Sequence, residues 1–267
     1  MDSKINISAV SYLNTKPFLY GLFQAGIDKE VNLSLDMPSI CAQKLETGEA
    51  DLGLIPVAAI PNLPEAHIIS DFCIGTLGVV KTVCIYAQCP IEDLTHLYLD
   101  YQSRTSVALA QYLVKSYWKL DIEFIHAKVG FEQQIQGTTA ALIIGDRTIG
   151  LENKYPYIYD LGATWQQFTN LPFVFAAWVS NKPLDKNFEA RFNKALALGL
   201  AHRSQVAQLF QSCYTNFSVE EYYYKYIDYH LDIDKRQALS KFLSILAPQK
   251  QWDNIVNSCQ IPSRTSD

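Results

Sequence analysis

Near its start the chain runs from an apolar stretch, Ile5 to Val10, into Ser11-Tyr12-Leu13-Asn14-Thr15-Lys16-Pro17-Phe18. The pattern predicts a strand that delivers the chain to a polar turn, then a helix with Asn14 or Thr15 as its cap and Pro17 in its first turn. Such an end gathers unpaired backbone N–H groups, the positive end of the helix dipole and short polar side chains, which together bind anions. A second copy follows: His96-Leu97-Tyr98-Leu99-Asp100 reads as a strand, Tyr101-Gln102-Ser103-Arg104-Thr105-Ser106 as the turn, and Val107 to Tyr117 as an amphipathic helix. Ser11, Asn14 and Thr15 would then face Ser103, Arg104, Thr105 and Ser106 across a cleft, an arrangement suited to a small dicarboxylate. The same short polar residues serve equally as helix caps, and Arg104 equally as a solvated surface charge.

Other chemistry finds little support. No G-x-G-x-x-G follows a strand, and there is no phosphate-binding G-x-x-x-x-G-K-[ST], no G-x-S-x-G and no H-E-x-x-H. His67, His96, His126, His202 and His230 have no spacing that puts two on one helical face, so neither a metal nor a cofactor is expected. Cys41, Cys73, Cys84, Cys89, Cys213 and Cys259 are scattered without a C-x-x-C pair and read as reduced thiols, although Cys84 and Cys89 flank a turn. Tyr222-Tyr223-Tyr224-Lys225-Tyr226 reads as a stacking platform or, at helical spacing, as core or a subunit contact, with Glu220-Glu221 in the first turn of its helix. Asp51, Asp100, Asp146 and Asp160 all fall near strand ends, where each serves a cap or loop as readily as acid–base work.

The elements that must position these residues repeat. After the first turn come a helix, Ile40 to Thr47, then Gly48, then a buried strand, Leu52 to Ile55, closed by Pro56. After the second come a helix near Phe131 to Gln136, then Gly137, then Ala140 to Ile144, closed by Gly145-Asp146. Asn14 to Gly48 and Ser103 to Gly137 are both 34 residues, which points to two α/β lobes of similar build. Two β-branched runs, Gly78 to Ala87 and Leu171 to Ser180, suit hinge strands joining the lobes. Residues 1–87 and 176–267 would form lobe one and residues 88–175 lobe two, with helices over Asp185 to Phe210 and Val219 to Tyr229 completing the first. Segments past Ala247 lack periodicity and end in a polar stretch, Ser263 to Asp267, expected to fray.

At 267 residues, 49% of them hydrophobic, the chain is long enough for two lobes with buried parallel sheets. A net charge of −5 without a basic cluster argues against a nucleic-acid partner. No signal peptide or membrane span is visible, and a cytoplasmic protein is expected. Oligomeric state, a homodimer included, is left open.

The segments SYLNTKP, LETGEADLGLIPVAAI, SRTSVALAQYL, ALIIGD and DLGATWQQFTNLPFVFAAW, in that order, resemble the menaquinone-biosynthesis family that contains chorismate dehydratase of the futalosine pathway. The resemblance spans about Ile5 to Leu246. It implies a two-lobed clamp like the type II periplasmic binding proteins and the dehydration of chorismate, a dicarboxylate, to 3-[(1-carboxyvinyl)oxy]benzoate. A sister enzyme, 1,4-dihydroxy-6-naphthoate synthase, shares the fold but opens with a Cys-Pro-Asn-Asp-Thr-like turn that Ser11 to Thr15 does not match. A non-catalytic cytosolic anion sensor on the same clamp is the alternative of another class. Losing the C3 hydrogen and C4 hydroxyl makes the ring aromatic, so strong acid–base groups are not required. On this reading Asn14 makes the catalytic contact, because an amide donates and accepts. Thr82 and Gly145 reach the ligand from the cleft floor, and Asp146 is either the base or a structural group at its strand end.

Overall fold

The computed structural model describes residues 4–257; Cys259 and the stretch Ser263 to Asp267 lie outside the described residues. The first sheet is built from β1 (Asn6–Val10), β2 (Asn32–Asp36), β3 (Leu52–Pro56), β4 (His67–Thr76), β10 (Phe173–Ser180) and β11 (Asp228–His230), in the order β11-β4-β10-β3-β1-β2. The second holds β5 (Val83–Ala87), β6 (His96–Leu99), β7 (Glu123–His126), β8 (Thr139–Ile144) and β9 (Tyr157–Asp160), in the order β7-β6-β8-β5-β9. The repeat expected from sequence is visible in the pairing. β1 lies parallel between β2 and β3, as β6 lies parallel between β7 and β8. An antiparallel strand then covers each third strand, β10 on β3 and β5 on β8.

Helices α1 (Lys16–Gln24), α2 (Pro38–Glu46), α5 (Lys186–Ala201), α6 (Arg203–Gln211) and α8 (Ile233–Leu246) flank the first sheet, while α3 (Arg104–Ser116) and α4 (Leu161–Thr169) belong with the second. Their starts follow ordinary capping chemistry. Ser103, Asp160, Asp185 and Asp232 each accept an N–H from three residues on.

Three expectations are corrected. Val83–Ala87 pairs with β8 and β9, so it is a strand of the second sheet and the crossover lies ahead of the expected boundary at residue 87, between Thr76 and Val83. The two lobes therefore join through irregular segments rather than hinge strands: the chain leaves β4 at Thr76 and returns to β10 at Phe173, which are register partners. The Asp160 carboxylate fixes the outgoing crossover by accepting the N–H groups of Val80 (3.0 Å) and Lys81 (2.7 Å) while capping α4. Phe131–Gln134 forms only a 3-10 turn, after a left-handed Gly130. Finally, the helix expected over Val219 to Tyr229 is a single α-turn, α7 (Val219–Glu221), that widens into a π-helical turn, Tyr222–Tyr226, before β11. Past Ala247 the chain is packed through the short helix α9 (Asp253–Val256), with Trp252 and Val256 buried.

Aromatic residues tie α1 to the first sheet: Phe18 meets Trp178 of β10 edge-on at 6.0 Å and Tyr229 of β11 at 5.3 Å. The fully buried Lys235 is held between Asp228 (3.0 Å) and Asp232 (2.8 Å), which locks α8 to β11. Helices α1 and α5 cross backbone to backbone through Gly21 and Gly199. A Cβ at Gly199 would stand 1.9 Å from the Pro17 carbonyl oxygen. Gly199→Ala should therefore lower stability by about 1–3 kcal/mol or more, the cost of overpacking a close contact. A urea titration reads this as a lower midpoint at unchanged slope; an unchanged midpoint would mean that the helices part at no cost.

Candidate functional site

Between the lobes lies a narrow cavity that is partly open to solvent. It sits where the carboxyl ends of β1, β3 and β8 and the start of α3 converge, the usual ligand position in open α/β sheets. Among its walls are Asn14, Thr15, Thr82, Ser103, Ser106 and Gly145 from the expected set. Apolar groups, among them Val10, Ile74, Val83, Ile144 and Phe175, supply the rest.

Asn14 sits in a 3-10 turn, Leu13–Thr15, that precedes α1. Neither Asn14 nor Thr15 makes a capping bond to the helix; the Thr15 hydroxyl donates instead to the Asn14 side-chain oxygen at 3.2 Å. The turn is held from outside. The Tyr223 hydroxyl donates to the Leu13 carbonyl (3.0 Å) and the Tyr229 hydroxyl to that of Asn14 (2.9 Å). From the other lobe, both Asp146 carboxylate oxygens accept the Leu13 N–H, at 3.0 and 3.1 Å. Thr82 is buried, and its hydroxyl lies 2.7 Å from that of Tyr222.

On the opposite wall Ser103 caps α3, its oxygen accepting the Ser106 N–H at 3.1 Å. The first N–H groups of a helix have no partner within the helix, so this end keeps anion-binding capacity beside the two serine hydroxyls. Gly145 adopts a left-handed backbone (φ 67°), and a Cβ there would lie 2.6 Å from the Tyr12 ring.

Ser11, Arg104, Thr105 and Asp146 are placed away from the cavity lining. The Ser11 N–H donates to the Asp36 carbonyl at 3.0 Å. Arg104 forms an ion pair with Glu46 of the other lobe, and the Thr105 hydroxyl accepts the Ala58 N–H at 3.1 Å. Asp146 is taken up by the Leu13 bond. Arg104, Thr105 and Asp146 fasten one lobe to the other instead of lining the cavity, while the Ser11 bond stays within the first lobe.

Tyr12 is a lining residue that the sequence reading passed over. It projects from lobe one, donates to the Gln102 side chain of lobe two and packs on Gly145. Beside it Arg147 pairs with the buried Asp100 and with Glu132 (2.9 Å). A lone aromatic residue between Ser11 and Leu13 carries no spacing signal, so only the folded chain shows its reach across the cleft. Among the described residues no group of three or more His, Cys, Asp or Glu side chains could hold a metal ion. Nor is any helix there long and apolar enough to cross a membrane. Burial pushes the Cys84 thiol well up.

With this geometry in hand, comparison with known proteins is decisive at the level of family. The model of a family described as menaquinone biosynthesis matches residues 5–248. The chain belongs to that family. A chorismate dehydratase from Thermus thermophilus is 26% identical over 192 residues, covering 64% of this chain and 70% of that protein. A protein from Archaeoglobus fulgidus superposes with a TM-score of 0.72 at 14% identity, covering 93% of this chain and 98% of its own. A Candida albicans protein described as having the generic periplasmic binding protein fold gives 0.60 at 9% identity, covering 98% and 99%. The aliphatic sulphonate binding protein of Escherichia coli gives 0.55 at 14%, covering 96% and 99%. The fold is thus the two-lobed α/β clamp of the periplasmic binding proteins.

Burial raises the Asp146 carboxyl above the ordinary range, against the lowering effect of the Leu13 N–H, Lys16 and Tyr214. A carboxyl raised in the folded state binds its proton more tightly there than in the unfolded chain. Its contribution to stability is therefore fullest below the ordinary aspartate value of about 3.9 and is lost as pH rises through the raised one. The stability of the wild type relative to Asp146→Asn should accordingly decline as pH increases across this window, measured by urea midpoints. A difference that grows with pH would show that the fold favours the ionised carboxylate.

Proposed function

We propose that this protein dehydrates chorismate to 3-[(1-carboxyvinyl)oxy]benzoate in the cleft between its lobes. The observation that carries the reading is the make-up of the cavity in a member of this family. Short polar groups face each other from opposite lobes, Asn14 and Thr15 against Ser103 and Ser106, with apolar walls between. Chorismate has the matching form, a ring with two carboxylates. One carboxylate would rest at the start of α3, on Ser103, Ser106 and first-turn N–H groups; the other would rest near the Asn14 turn. The Thermus relative is itself a chorismate dehydratase.

The chemistry asks for orientation more than for a strong base. The C3 proton is acidified through conjugation with the ring carboxylate, and the enolpyruvyl carboxylate of the substrate accepts it. The C4–O bond then breaks, the proton leaves with the hydroxyl as water, and the ring becomes aromatic. Asn14 contributes hydrogen bonding to the reacting substrate, Thr82 a contact from the cleft floor, and the closed lobes exclude bulk water. Arg104, paired with Glu46, fastens the lobes on this reading.

Incubated with chorismate, the protein should consume the ring diene and give an aromatic enolpyruvyl product lighter by one water, followed by ultraviolet absorbance and mass spectrometry. Asn14→Ala should lower kcat by about 10²-fold with little change in KM. Chorismate returned unchanged at stoichiometric enzyme would overturn the reading, in favour of a binding protein if it is bound and of the naphthoate synthase or another substrate if it is not.

A further inference from the structure

Tyr12 crosses the cleft within the cavity wall, and both of its ends are anchored. Its carbonyl accepts the Thr15 N–H at 3.1 Å, so its backbone belongs to the turn that presents Asn14. Its ring lies on the backbone of Gly145, where a Cβ would stand 2.6 Å away. Its hydroxyl donates to the Gln102 side-chain oxygen. Gln102 comes just before Ser103, the cap of α3. One side chain of lobe one therefore reaches from the Asn14 turn to the residue beside the facing wall.

The receiving end is fixed on every side. Gln102 is buried, and its Nε2 donates to the Tyr101 hydroxyl at 3.0 Å, which leaves its Oε1 as the acceptor for Tyr12. Its N–H donates to Asp100 at 3.0 Å, and its carbonyl accepts the Ser39 N–H of lobe one at 3.1 Å. The same Asp100 carboxylate accepts the Ile144 N–H at 3.0 Å, one residue before Gly145. The target of the hydroxyl and the seat of the ring thus share one buried carboxylate. Fastening the lobes needs neither a cavity-lining ring nor a left-handed glycine beneath it; Arg104 and Glu46 do so without either.

We propose that Tyr12 sets the span between the two anion-binding walls, and so selects a dicarboxylate of that span over a monocarboxylate. It is a positioning residue that acts through Gln102 on Ser103 and the start of α3. The selectivity rests on the dicarboxylate reading of the cleft; the positioning does not.

Tyr12→Phe keeps the ring on Gly145 and deletes the bond to Gln102. Calorimetry would compare 3-[(1-carboxyvinyl)oxy]benzoate with 3-ethoxybenzoate, which keeps the ring, the ether oxygen and one carboxylate. Tyr12→Phe should weaken the first by about 3- to 10-fold, the equivalent of one net hydrogen bond, and the second by less than about 2-fold. Gln102→Met should act alike, and the double variant should lose no more than either alone, because all three break one contact. Arg104→Gln breaks an inter-lobe ion pair away from Tyr12 and should leave the ratio of the two affinities in place. In the ligand-free protein, the Ser39 and Ser106 amides should exchange with deuterium faster in Tyr12→Phe. Equal losses for both ligands in Tyr12→Phe, losses that add in the double variant, or the same fall in ratio in Arg104→Gln would overturn the selectivity. Unchanged amide exchange would overturn the positioning. If the wild type binds the two ligands equally or not at all, the dicarboxylate reading falls, and amide exchange alone decides whether Tyr12 positions the start of α3.

Discussion

The Leu13–Asn14 turn is gripped by both lobes at once, and the geometry of the cleft depends on that grip. Its N–H goes to Asp146 of lobe two, and its carbonyls go to Tyr223 and Tyr229 of lobe one. Each such bond contributes on the order of 1 kcal/mol net, while leaving a buried partner unsatisfied costs about 1–3 kcal/mol. The turn is thus far costlier to misplace than to keep, and Asn14 is presented from a rigid loop. Because Asp146 belongs to the other lobe, this arrangement exists only when the lobes are together. The contact between the lobes and the placing of Asn14 thus share one set of bonds.

The rest of the molecule serves this arrangement. Two sheets of like topology put strand ends and one capped helix start, that of α3, on facing walls. The crossover held by Asp160 sets the spacing between them. The Phe18, Trp178 and Tyr229 contacts anchor the helix that follows the turn. Lys235, between Asp228 and Asp232, secures the strand that carries Tyr229. On the proposed reading, this two-lobed fold holds a dicarboxylate between the short polar groups of its facing walls.

Much of this was legible in the sequence where local rules act alone. The strand-turn-helix units, the buried strands after Gly48 and Gly137, and the α/β class follow from hydrophobic period and turn residues. The Ser103 cap was legible for the same reason. What escaped depends on long-range partners. Val83–Ala87 has the composition of any buried strand, and only its neighbours assign it to the second sheet. Asp146 and Thr105 look like ligand groups until the Leu13 and Ala58 N–H groups are placed against them. Arg104 looks free until Glu46 arrives from the other lobe. The run Tyr222 to Tyr226 reads as a stacking platform, as core or as a subunit contact; Tyr222 and Tyr223 are buried, and the Tyr223 and Tyr229 hydroxyls reach the Leu13–Asn14 turn because of a π-turn invisible in residue periodicity.

The central claim is that one dicarboxylate spans the two walls of this cleft. A crystal structure of the protein with 3-[(1-carboxyvinyl)oxy]benzoate tests it most directly. The account predicts the product between the lobes, one carboxylate on Ser103, Ser106 and the start of α3, and the other end of the molecule within hydrogen-bond distance of Asn14. Product bound outside the cleft, or within it with both carboxylates on one wall and Asn14 untouched, would contradict it.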